Sequence, residues 1–598
     1  MPVQRFGRVL FGLALASCCS VAQLAAAKCT IGMVAKLPVT MEGLRATVPV
    51  EVNGKVTTFW LDSGAFYSIM SKAQAAALGL KTEPLPAGFF ITGIGGSATA
   101  EVTTIKSFRI VGQELKNLQF LVGGSDVGAA LIGQNILAAW DTEYDLANGR
   151  VNLVHAKGCG GANLAYWAEG KAAGMADLIK PEHALAKHII AKGTINGKPV
   201  RLMFDTGAPA TSLTLSAAQR LGIDFSAPGV VESSRTSGIG TKFRRTWIVT
   251  LKTFEIGGEE IRNTPIRVIE DKGDSRDEDV LVGADFFLSH RLFVSPSTGH
   301  MFLTYNGGPV FSLTTDGEIG ARPTRSEGDW ATGATDVPKD AEGFARRASA
   351  NAARGDWKAA VADYDTALKA DPAKAEYWRG RADAKERSGD SAGARADFDK
   401  AIALTPNNPD LVIKRGFLRL KDGDAKGALA DAEAALAGYH EGSLDRLAVV
   451  ALFDRLHRAD RVLALIEPII ALHKADNELG GLLNTRCYSR ALANIELPKA
   501  MADCAGAIKR LGLMPALVDS RAMVKVRMGD LAGALADYDI VLAKAPQQAA
   551  SLYMRGWVRR TTANGDAEKL KLAAADFAAA KAVKAEIAED FKPYGFEP

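Results

Sequence analysis

Two different patterns of hydrophobic and polar residues divide this chain near residue 340. Before that point, short stretches rich in β-branched residues alternate in part between apolar and polar positions, and Gly or Asn-Gly interrupts them, which predicts strands joined by tight turns. The predicted strand regions are Leu44–Leu61, Thr99–Val111, Leu115–Val122, Lys192–Phe204, Trp247–Ile256 and Ile261–Ile269. Helices are predicted at Ser71–Leu78 and Ser216–Leu221. The first part of the chain is therefore expected to be β-rich.

Beyond about residue 340 the chain is alanine-rich and repeats with a period of 34 residues. The residues that share this spacing are Gly355-Asp356, Gly389-Asp390 and Gly423-Asp424, then Asp363, Asp397 and Asp431, and then Pro372 and Pro406. A helix-turn-helix unit of this length, with Pro at its end, resembles the tetratricopeptide repeat. The segment Glu441–Ala475 follows the pattern poorly. Roughly six or seven repeats predict a curved all-α solenoid.

A second repetition lies in the β-rich part, where one motif occurs twice. The two copies are Phe59-Trp60-Leu61-Asp62-Ser63-Gly64-Ala65 and Leu202-Met203-Phe204-Asp205-Thr206-Gly207-Ala208. Their offset of 143 residues (205 − 62 = 143) also relates the preceding Asn-Gly turns and the amphipathic segments that follow, and it aligns Ser68 with Thr211. We therefore interpret the two halves as related units, each of which presents one carboxylate after an apolar strand.

Two such carboxylates can perform chemistry that one alone cannot. When two Asp side chains are held against each other they cannot both ionise, so they share a proton. One then acts as a base toward a water that attacks an amide carbonyl, and the other acts as an acid. Gly64 and Gly207 allow the two turns to approach closely, and Ser63 and Thr206 supply hydroxyls that can tie the turns together. The pattern is what an aspartic peptidase needs.

Each half also contains a glycine-rich tip and a later aliphatic-aliphatic-Gly motif. These are Gly93-Ile94-Gly95-Gly96 and Gly238-Ile239-Gly240, followed by Leu131-Ile132-Gly133 and Leu281-Val282-Gly283. Together with Asp-Ser/Thr-Gly-Ala they resemble the retropepsin-like aspartic peptidases over roughly residues 37–306. The resemblance implies that Asp62 and Asp205 are the catalytic pair. It also implies two all-β lobes that form a pepsin-like pseudo-dimer, with flaps over the bound peptide at Gly93, Gly95, Gly238 and Gly240.

Composition argues against several other classes of function. A formal net charge of +4 is small for 598 residues, so neither nucleic acid nor an anionic membrane is a favoured partner. No His or Cys group has metal-ligand spacing, so we predict no metal and no other cofactor. We interpret His155, His183 and His188 as surface or linker residues, and Asp141 and Asp285 as structural carboxylates.

The N-terminus has the pattern of an export signal. Arg5 and Arg8 precede an apolar stretch that is too short to span a bilayer, and small residues end at Ala27. Cleavage near Ala27 predicts a periplasmic or secreted protein. The alternative is a lipid anchor at Cys18, because Leu-Ala-Ser before it resembles a lipoprotein box. Cleavage near Ala27 is favoured because Lys28 follows the alanine site and another cysteine follows Cys18.

Export changes the interpretation of the six cysteines. Four remain after cleavage, an even number in an oxidising compartment. Cys29 and Cys159 flank the first half, so a disulfide between them would join its two ends. Cys487 and Cys504 lie at nearly equal distances from a turn near Glu496, on two helices that would be antiparallel. Both pairs are predicted disulfides.

These observations predict a multidomain protein, since 598 residues exceed what one hydrophobic core organises. The expected units are a signal peptide at 1–27, a first peptidase-like lobe at 28–158, a connector at 159–183 with a short helix near Ala165–Ala168, a second lobe at 184–310, a linker at 311–339 and the helical repeats at 340–598. Whether the lobes pair within one chain or between two chains stays open.

The resulting functional hypothesis is an exported aspartic endopeptidase whose repeats recruit a protein substrate or partner. One alternative is a non-catalytic binding protein that keeps the cleft to grip peptides. Another is a scaffold in which each acidic turn is only a loop. The two intact aspartates favour the enzyme over the binding protein, and the matched flanking motifs argue against the scaffold.

We expect the mature protein to begin near Lys28. N-terminal sequencing of the protein recovered from the periplasm or medium tests this, and Cys18→Ser should leave the location unchanged. Recovery of a diacylated Cys18 from the membrane fraction would establish the lipid anchor instead, and a full-length cytosolic chain would contradict both interpretations.

Overall fold

The computed structural model describes residues 29–86, 89–123, 129–169, 173–180, 187–236, 238, 243–271, 278–311, 324–325, 337–474 and 478–598. The predicted signal peptide with Cys18 lies outside the described residues, as do His183 and Gly240.

The first lobe is built on a sheet of short strands and two long ones, Gly96–Ile110 and Gln113–Gly123, that closes on itself. Its strands are β1 Thr30–Pro38, β2 Thr40–Glu42, β3 Arg45–Val52, β4 Lys55–Leu61, β5 Ile69–Met70, β6 Glu83–Pro84, β7 Phe90–Gly93, β8 Gly96–Ile110, β9 Gln113–Gly123, β10 Leu131–Ile132, β11 Asp141–Asp145 and β12 Arg150–Lys157. Its helices are α1 Lys72–Ala77, α2 Gln134–Leu137 and a 3₁₀ turn at Leu146–Asn148. The main sheet has the order β2-β3-β4-β10-β5-β9-β8-β6, and an additional β3–β8 pairing closes it on itself.

The second lobe repeats this plan after a connector. The connector contains a 3₁₀ turn at Tyr166–Ala168, where a short helix is predicted, and β13 Gly174–Asp177. The lobe contains β14 Ile189–Ile195, β15 Lys198–Phe204, β16 Ser212–Thr214, α3 Leu215–Leu221, β17 Val231–Thr236, β18 Arg244–Ile256, β19 Glu259–Ile269, β20 Val280–Val282, α4 Ala284–Ser289, β21 His290–Ser295, β22 His300–Tyr305 and β23 Thr324–Arg325. Its sheet order is β17-β18-β14-β15-β20-β16-β19-β23, with β18–β19 pairing in addition.

A third sheet joins the two lobes within one chain. Its order is β1-β12-β11-β21-β22-β13, so strands from the first lobe, the second lobe and the connector share one hydrogen-bonded ladder. The central junction is the antiparallel pairing of β11 with β21, in which Glu143 lies opposite Phe293. None of these six strands is among the regions that the local sequence pattern predicts. β11 with β12 and β21 with β22 are hairpins of consecutive strands, whereas β1 with β12, β11 with β21 and β13 with β22 pair across long separations in the chain.

Arg291 on β21 is buried at this junction. Its guanidinium lies 2.6 Å from a carboxylate oxygen of Glu143 on β11 and 4.2 Å from the ring centroid of Trp167 in the connector. Because an unpaired buried charge is costly, these contacts favour one arrangement of the two lobes and the connector.

In the described residues from 337 onward, the helical part consists of seven antiparallel hairpins and a terminal helix. The hairpins are α5 Ala341–Ala353 with α6 Trp357–Ala370, α7 Ala375–Arg387 with α8 Ser391–Leu404, α9 Pro409–Lys421 with α10 Ala425–Leu436, α11 Leu447–Arg455 with α12 Ala459–Leu472, α13 Leu479–Ala493 with α14 Leu497–Leu511, α15 Pro515–Arg527 with α16 Leu531–Lys544, and α17 Ala549–Thr561 with α18 Ala567–Val583. Helix α19 Ile587–Phe591 follows, and 3₁₀ turns lie at Leu444–Arg446 and Lys592–Tyr594.

The repeated aspartates have two structural roles. In each recurring Gly-Asp pair the glycine has positive φ and the aspartate caps the second helix of a hairpin, as Asp390 does for the backbone N–H of Gly393 at 2.9 Å. The later aspartate is buried and accepts from an arginine of the first helix at 2.6 to 2.7 Å. The pairs are Arg347–Asp363, Arg381–Asp397, Arg415–Asp431, Arg486–Asp503, Arg521–Asp537 and Arg555–Asp576.

The fourth hairpin explains why Glu441–Ala475 fits the repeat pattern poorly. At offsets of 34 residues from Arg415 and Asp431 it carries Val449 and Leu465, which are buried in an apolar cluster. Apolar residues can replace a buried ion pair without loss of stability. The hairpin therefore keeps its fold while losing the polar signature.

The helical part packs directly on the first lobe. Ser349 on α5 accepts a buried hydrogen bond from the backbone N–H of Met41 at 3.0 Å. Ala350 on the same helix belongs to the hydrophobic core that runs through both lobes. The first hairpin is thus anchored against the β part of the protein.

The described part of the chain contains two disulfides, between Cys29 and Cys159 and between Cys487 and Cys504, whose cysteines are separated by 130 and 17 residues. The first joins the start of β1 to the chain after β12, and the second joins α13 to α14. Both disulfides join the cysteines that the sequence analysis predicts to be paired.

We expect the Cys487→Ala, Cys504→Ala double variant to lose about 3 kcal/mol of unfolding free energy in the helical part, because the crosslink restricts the unfolded chain. Urea unfolding followed by helical circular dichroism measures this loss. Reductant should lower the parent toward the variant and leave the variant's helical transition unchanged. Equal midpoints for parent and variant would contradict the prediction.

Candidate active site

The two aspartates of the duplicated motif meet where the two lobes face each other. Asp62 follows β4 and Asp205 follows β15, and each sits in a turn whose backbone donates to its carboxylate. Gly64 N–H donates to Asp62 Oδ1 at 3.0 Å and to Asp205 Oδ1 at 3.2 Å. Ala65 N–H donates to Asp62 Oδ1 at 2.8 Å, and Gly207 N–H donates to Asp205 Oδ1 at 2.7 Å. One backbone amide therefore contacts both carboxylates.

The hydroxyls of Ser63 and Thr206 tie the two turns together reciprocally. Ser63 N–H donates to Thr206 Oγ1 at 3.1 Å, and Thr206 N–H donates to Ser63 Oγ at 3.0 Å. Each hydroxyl in turn donates across the interface to a strand carbonyl, Ser63 to Phe204 at 2.9 Å and Thr206 to Leu61 at 2.8 Å. Both hydroxyls are fully buried, so these four bonds determine how closely the turns approach.

The approach is too close for any side chain at the two motif glycines. A Cβ at Gly64 would lie 2.2 Å from Asp205 Cγ, and one at Gly207 would lie 2.3 Å from Asp62 Cγ. Only glycine fits at these two positions, because the carboxylate of the opposite aspartate occupies the space of a Cβ.

Burial and the neighbouring Asp205 raise the pKa of Asp62 well above its usual value. The backbone donors of Gly64 and Ala65 act in the opposite direction and are the weaker influence. Because two carboxylates in this environment cannot both ionise at low cost, the pair holds a proton at a pH where an isolated Asp is ionised.

A second layer supports each turn in the same way. In the first lobe Asn135 Oδ1 accepts from the Ser68 hydroxyl at 2.9 Å. In the second lobe Asp285 Oδ1 accepts from the Thr211 hydroxyl at 2.7 Å, and burial raises the pKa of Asp285 to about 6. Asp141 accepts from Ser295 at 2.8 Å in the shared sheet, away from the paired turns.

The paired carboxylates lie at the floor of a cavity of about 810 Å³ between the lobes. The β7–β8 hairpin covers it, with Gly93 paired to Gly96 and Gly95 buried at the tip. This tip meets the second lobe, where Arg244 Nε donates to the Ile94 carbonyl at 3.0 Å. Gly238 lies beside the Ile94 side chain, since a Cβ placed on it would lie 3.3 Å from Ile94 Cβ.

Several residues that line the cleft were missed as site residues by the sequence interpretation, among them Arg45 and His188. Arg45 lies near both aspartates, and its guanidinium is 4.6 Å from the Trp60 ring centroid. Burial lowers the pKa of Arg45, and the charges of Asp62 and Asp205 oppose that shift. His188, interpreted as a surface or linker residue, lines the same cavity with its ring 5.5 Å from Phe66. The duplication relates the two positions, because 188 − 45 is again 143, but no motif in the sequence marks either residue as part of the cleft.

A second cavity, of about 780 Å³, lies on the helical part. Its walls come mainly from α11, α13 and α15, the first helices of three consecutive hairpins. Phe243, which immediately precedes β18 of the second lobe, also lines it. The groove of the helical hairpins is thus adjacent to the second lobe near its glycine-rich tip.

Within the described ranges, no group of three His, Cys, Asp or Glu side chains is arranged to hold a metal ion. No helix among the described residues combines the length and apolar character needed to cross a membrane.

Family models match three segments of the chain. The model described as gag-polyprotein putative aspartyl protease matches residues 48–139, and the one described as aspartyl protease matches residues 191–286. A tetratricopeptide repeat model matches residues 346–409. The chain therefore carries retropepsin-like aspartyl-protease domains and a tetratricopeptide-repeat domain. The predicted fold class, two such lobes followed by a helical solenoid, is confirmed.

Solved structures similar to these domains include a retropepsin-like aspartic protease from Rickettsia conorii, 22% identical with a TM-score of 0.16, which covers 21% of this chain and 94% of that one. Another is a tetratricopeptide repeat protein from Parabacteroides merdae, 18% identical with a TM-score of 0.35, which covers 43% of this chain and 99% of that one. No curated protein matches the chain.

The raised pKa of Asp62 makes a prediction about stability. The folded protein keeps the proton on the Asp62 carboxyl to a higher pH than the unfolded chain does. The free energy of unfolding therefore falls as the pH rises above the ordinary pKa of an Asp. Asp62→Asn should therefore be more stable than the parent at pH 7, by about 1.4 kcal/mol per unit of raised pKa, and the gain should vanish below about pH 3.5.

Urea unfolding of parent and variant at several pH values measures this difference. Asp224→Asn, which changes an exposed carboxylate on the second lobe, is the matched control and should show no such gain. A loss of stability in Asp62→Asn at pH 7 would contradict the assigned direction.

Proposed function

We propose that the protein is an aspartic endopeptidase that hydrolyses peptide bonds with Asp62 and Asp205. The observation that carries this proposal is the contact of the Gly64 amide with both carboxylates, which places the two acids side by side at the floor of a cavity. The cavity is large enough for several residues of an extended peptide, and its walls are mostly apolar side chains.

The chemistry follows from the shared proton. The ionised carboxylate accepts a proton from a water as that water attacks the amide carbonyl, while the protonated one donates to the carbonyl oxygen. A proton then passes to the nitrogen as the C–N bond breaks. Since one carboxylate must be ionised and the other neutral, activity should be highest at mildly acidic pH and fall as both ionise.

The flaps would exclude water from this step. The contact of Arg244 with the Ile94 carbonyl holds the first flap against the second lobe. A bound peptide must enter beneath this contact, so flap opening precedes catalysis in this proposal.

The repeat domain is proposed to recruit the protein substrate or a partner. Repeat domains of stacked helical hairpins present long grooves for peptides, and here such a groove lies beside the second lobe through Phe243. A segment held in the groove would therefore be concentrated near the cleft. We further propose that the protein acts in the periplasm or outside the cell, as its N-terminal pattern and its two disulfides favour.

Digestion of a peptide library across pH tests the enzyme. Asp62→Asn and Asp205→Asn should each abolish cleavage, and the double variant should be no worse than either, because the two acids act as one unit. Chelators should leave the rate unchanged, since the mechanism uses no metal.

The exposed control Asp224→Asn should cleave like the parent. Proteolysis retained in the Asp62→Asn, Asp205→Asn double variant would refute the assignment. Peptide binding without turnover in the parent would instead establish a binding protein.

A further inference from the structure

The two sides of the cleft are built from matching positions that carry different side chains. In the first lobe, one row runs across four neighbouring strands, with Trp60 beside Leu131, Leu131 beside Ile69, and Ile69 beside Leu121. All four line the cavity. Ile91 on the flap packs on this row, so the row and the flap residue above it form one apolar surface.

The second lobe has the same row with different chemistry. Met203 lies beside Leu281, Leu281 beside Ser212, and Ser212 beside Arg267, and all four again line the cavity. The duplication thus relates Ile69 to Ser212 and Leu121 to Arg267.

The flap position differs too. Ile91 and Thr236 each precede by two residues the first glycine of their tip, Gly93 and Gly238, and both line the cavity. Three apolar positions of one side are therefore hydroxyl or guanidinium groups on the other.

Arg267 is the charged residue of the second-lobe row. Its side chain is half-buried, and burial lowers its pKa. Among the described residues, no carboxylate forms an ion pair with it. A partly desolvated guanidinium gains most from a carboxylate, which it binds with two parallel hydrogen bonds.

Arg45, which also lines the cleft, is less available to a substrate carboxylate than Arg267 is. Arg45 faces Asp62 and Asp205, whose charges already act on it, and its guanidinium stacks on Trp60. Glu278 also lines the cavity on the second-lobe side, and it has contacts of its own. Of the described residues that line the cavity, Arg267 is therefore the cation available to a substrate side chain.

We propose that Arg267 is a specificity-determining residue that binds an acidic substrate side chain, while the apolar row of the first lobe binds an apolar one. The substrates are then peptides with Asp or Glu on one side of the scissile bond and a large apolar residue on the other. This inference rests on the proposed function.

The test compares peptides that differ only by Glu, Gln, Leu or Lys at each position within two residues of the scissile bond. At one position the parent should prefer Glu over Gln by about tenfold to a hundredfold in kcat/KM, the range expected for a hydrogen bond to a charged group. Arg267→Leu, which installs the residue of the matching position, should lose this preference but keep cleavage of the Leu peptide. Arg267→Lys should retain part of it.

Leu121→Arg is the reciprocal control and should create a preference for Glu on the other side of the scissile bond. Equal rates for Glu and Gln in the parent, or a preference unchanged in Arg267→Leu, would overturn the proposal. A preference for Lys would overturn it in favour of Glu278.

The same peptides, titrated calorimetrically into Asp205→Asn, separate this inference from the proposed function. If the parent cleaves no peptide, the peptidase assignment fails, yet tighter binding of Glu than of Gln, lost on adding Arg267→Leu, still supports the acidic subsite. Cleavage without any such preference would retain the peptidase and reject the subsite.

Discussion

The structure depends on the contact between two turns that each carry a carboxylate. Gly64 and Gly207 have no room for a Cβ, because the opposite aspartate occupies that space. Holding two acids this close opposes their ionisation, and the reciprocal bonds of Ser63 and Thr206 hold the turns together against that repulsion. The raised pKa of Asp62 is the electrostatic consequence of this approach.

Much of the remaining architecture preserves the approach. The shared sheet makes the two lobes one hydrogen-bonded body, and Arg291 at its junction contacts groups from the first lobe and the connector. The disulfide from Cys29 to Cys159 holds β1, an edge strand of this sheet, to the chain that follows β12. Helix α5 then packs on the first lobe through Ser349, so the repeat domain extends from the same rigid base.

Placing both units in one chain allows them to diverge. In a symmetric pair made from two copies, every residue of the cleft would appear on both sides. Here the turns and their supporting hydroxyls are matched, whereas the position of Leu121 in the first lobe is Arg267 in the second, and that of Arg45 is His188. The two aspartate turns, which must match to hold the carboxylates together, are alike in both lobes. The rows of side chains that line the cleft differ between the lobes.

The sequence alone determined the features of the fold and site that depend on residues close together in the chain. The Asp-Ser/Thr-Gly motifs, the strand and helix periods and the 34-residue repeat express short-range geometry, and among the described residues the structure has turns, strands and helices at those positions. The sequence also paired the cysteines of both disulfides, one of which spans 130 residues. Only the tertiary structure decided the partners across long separations. It joined β11 to β21, placed Arg45, His188 and Arg267 in one cleft, and brought Phe243 to the repeat groove. Strand pairing and domain packing depend on the shapes of distant surfaces, which periodicity along the chain does not describe.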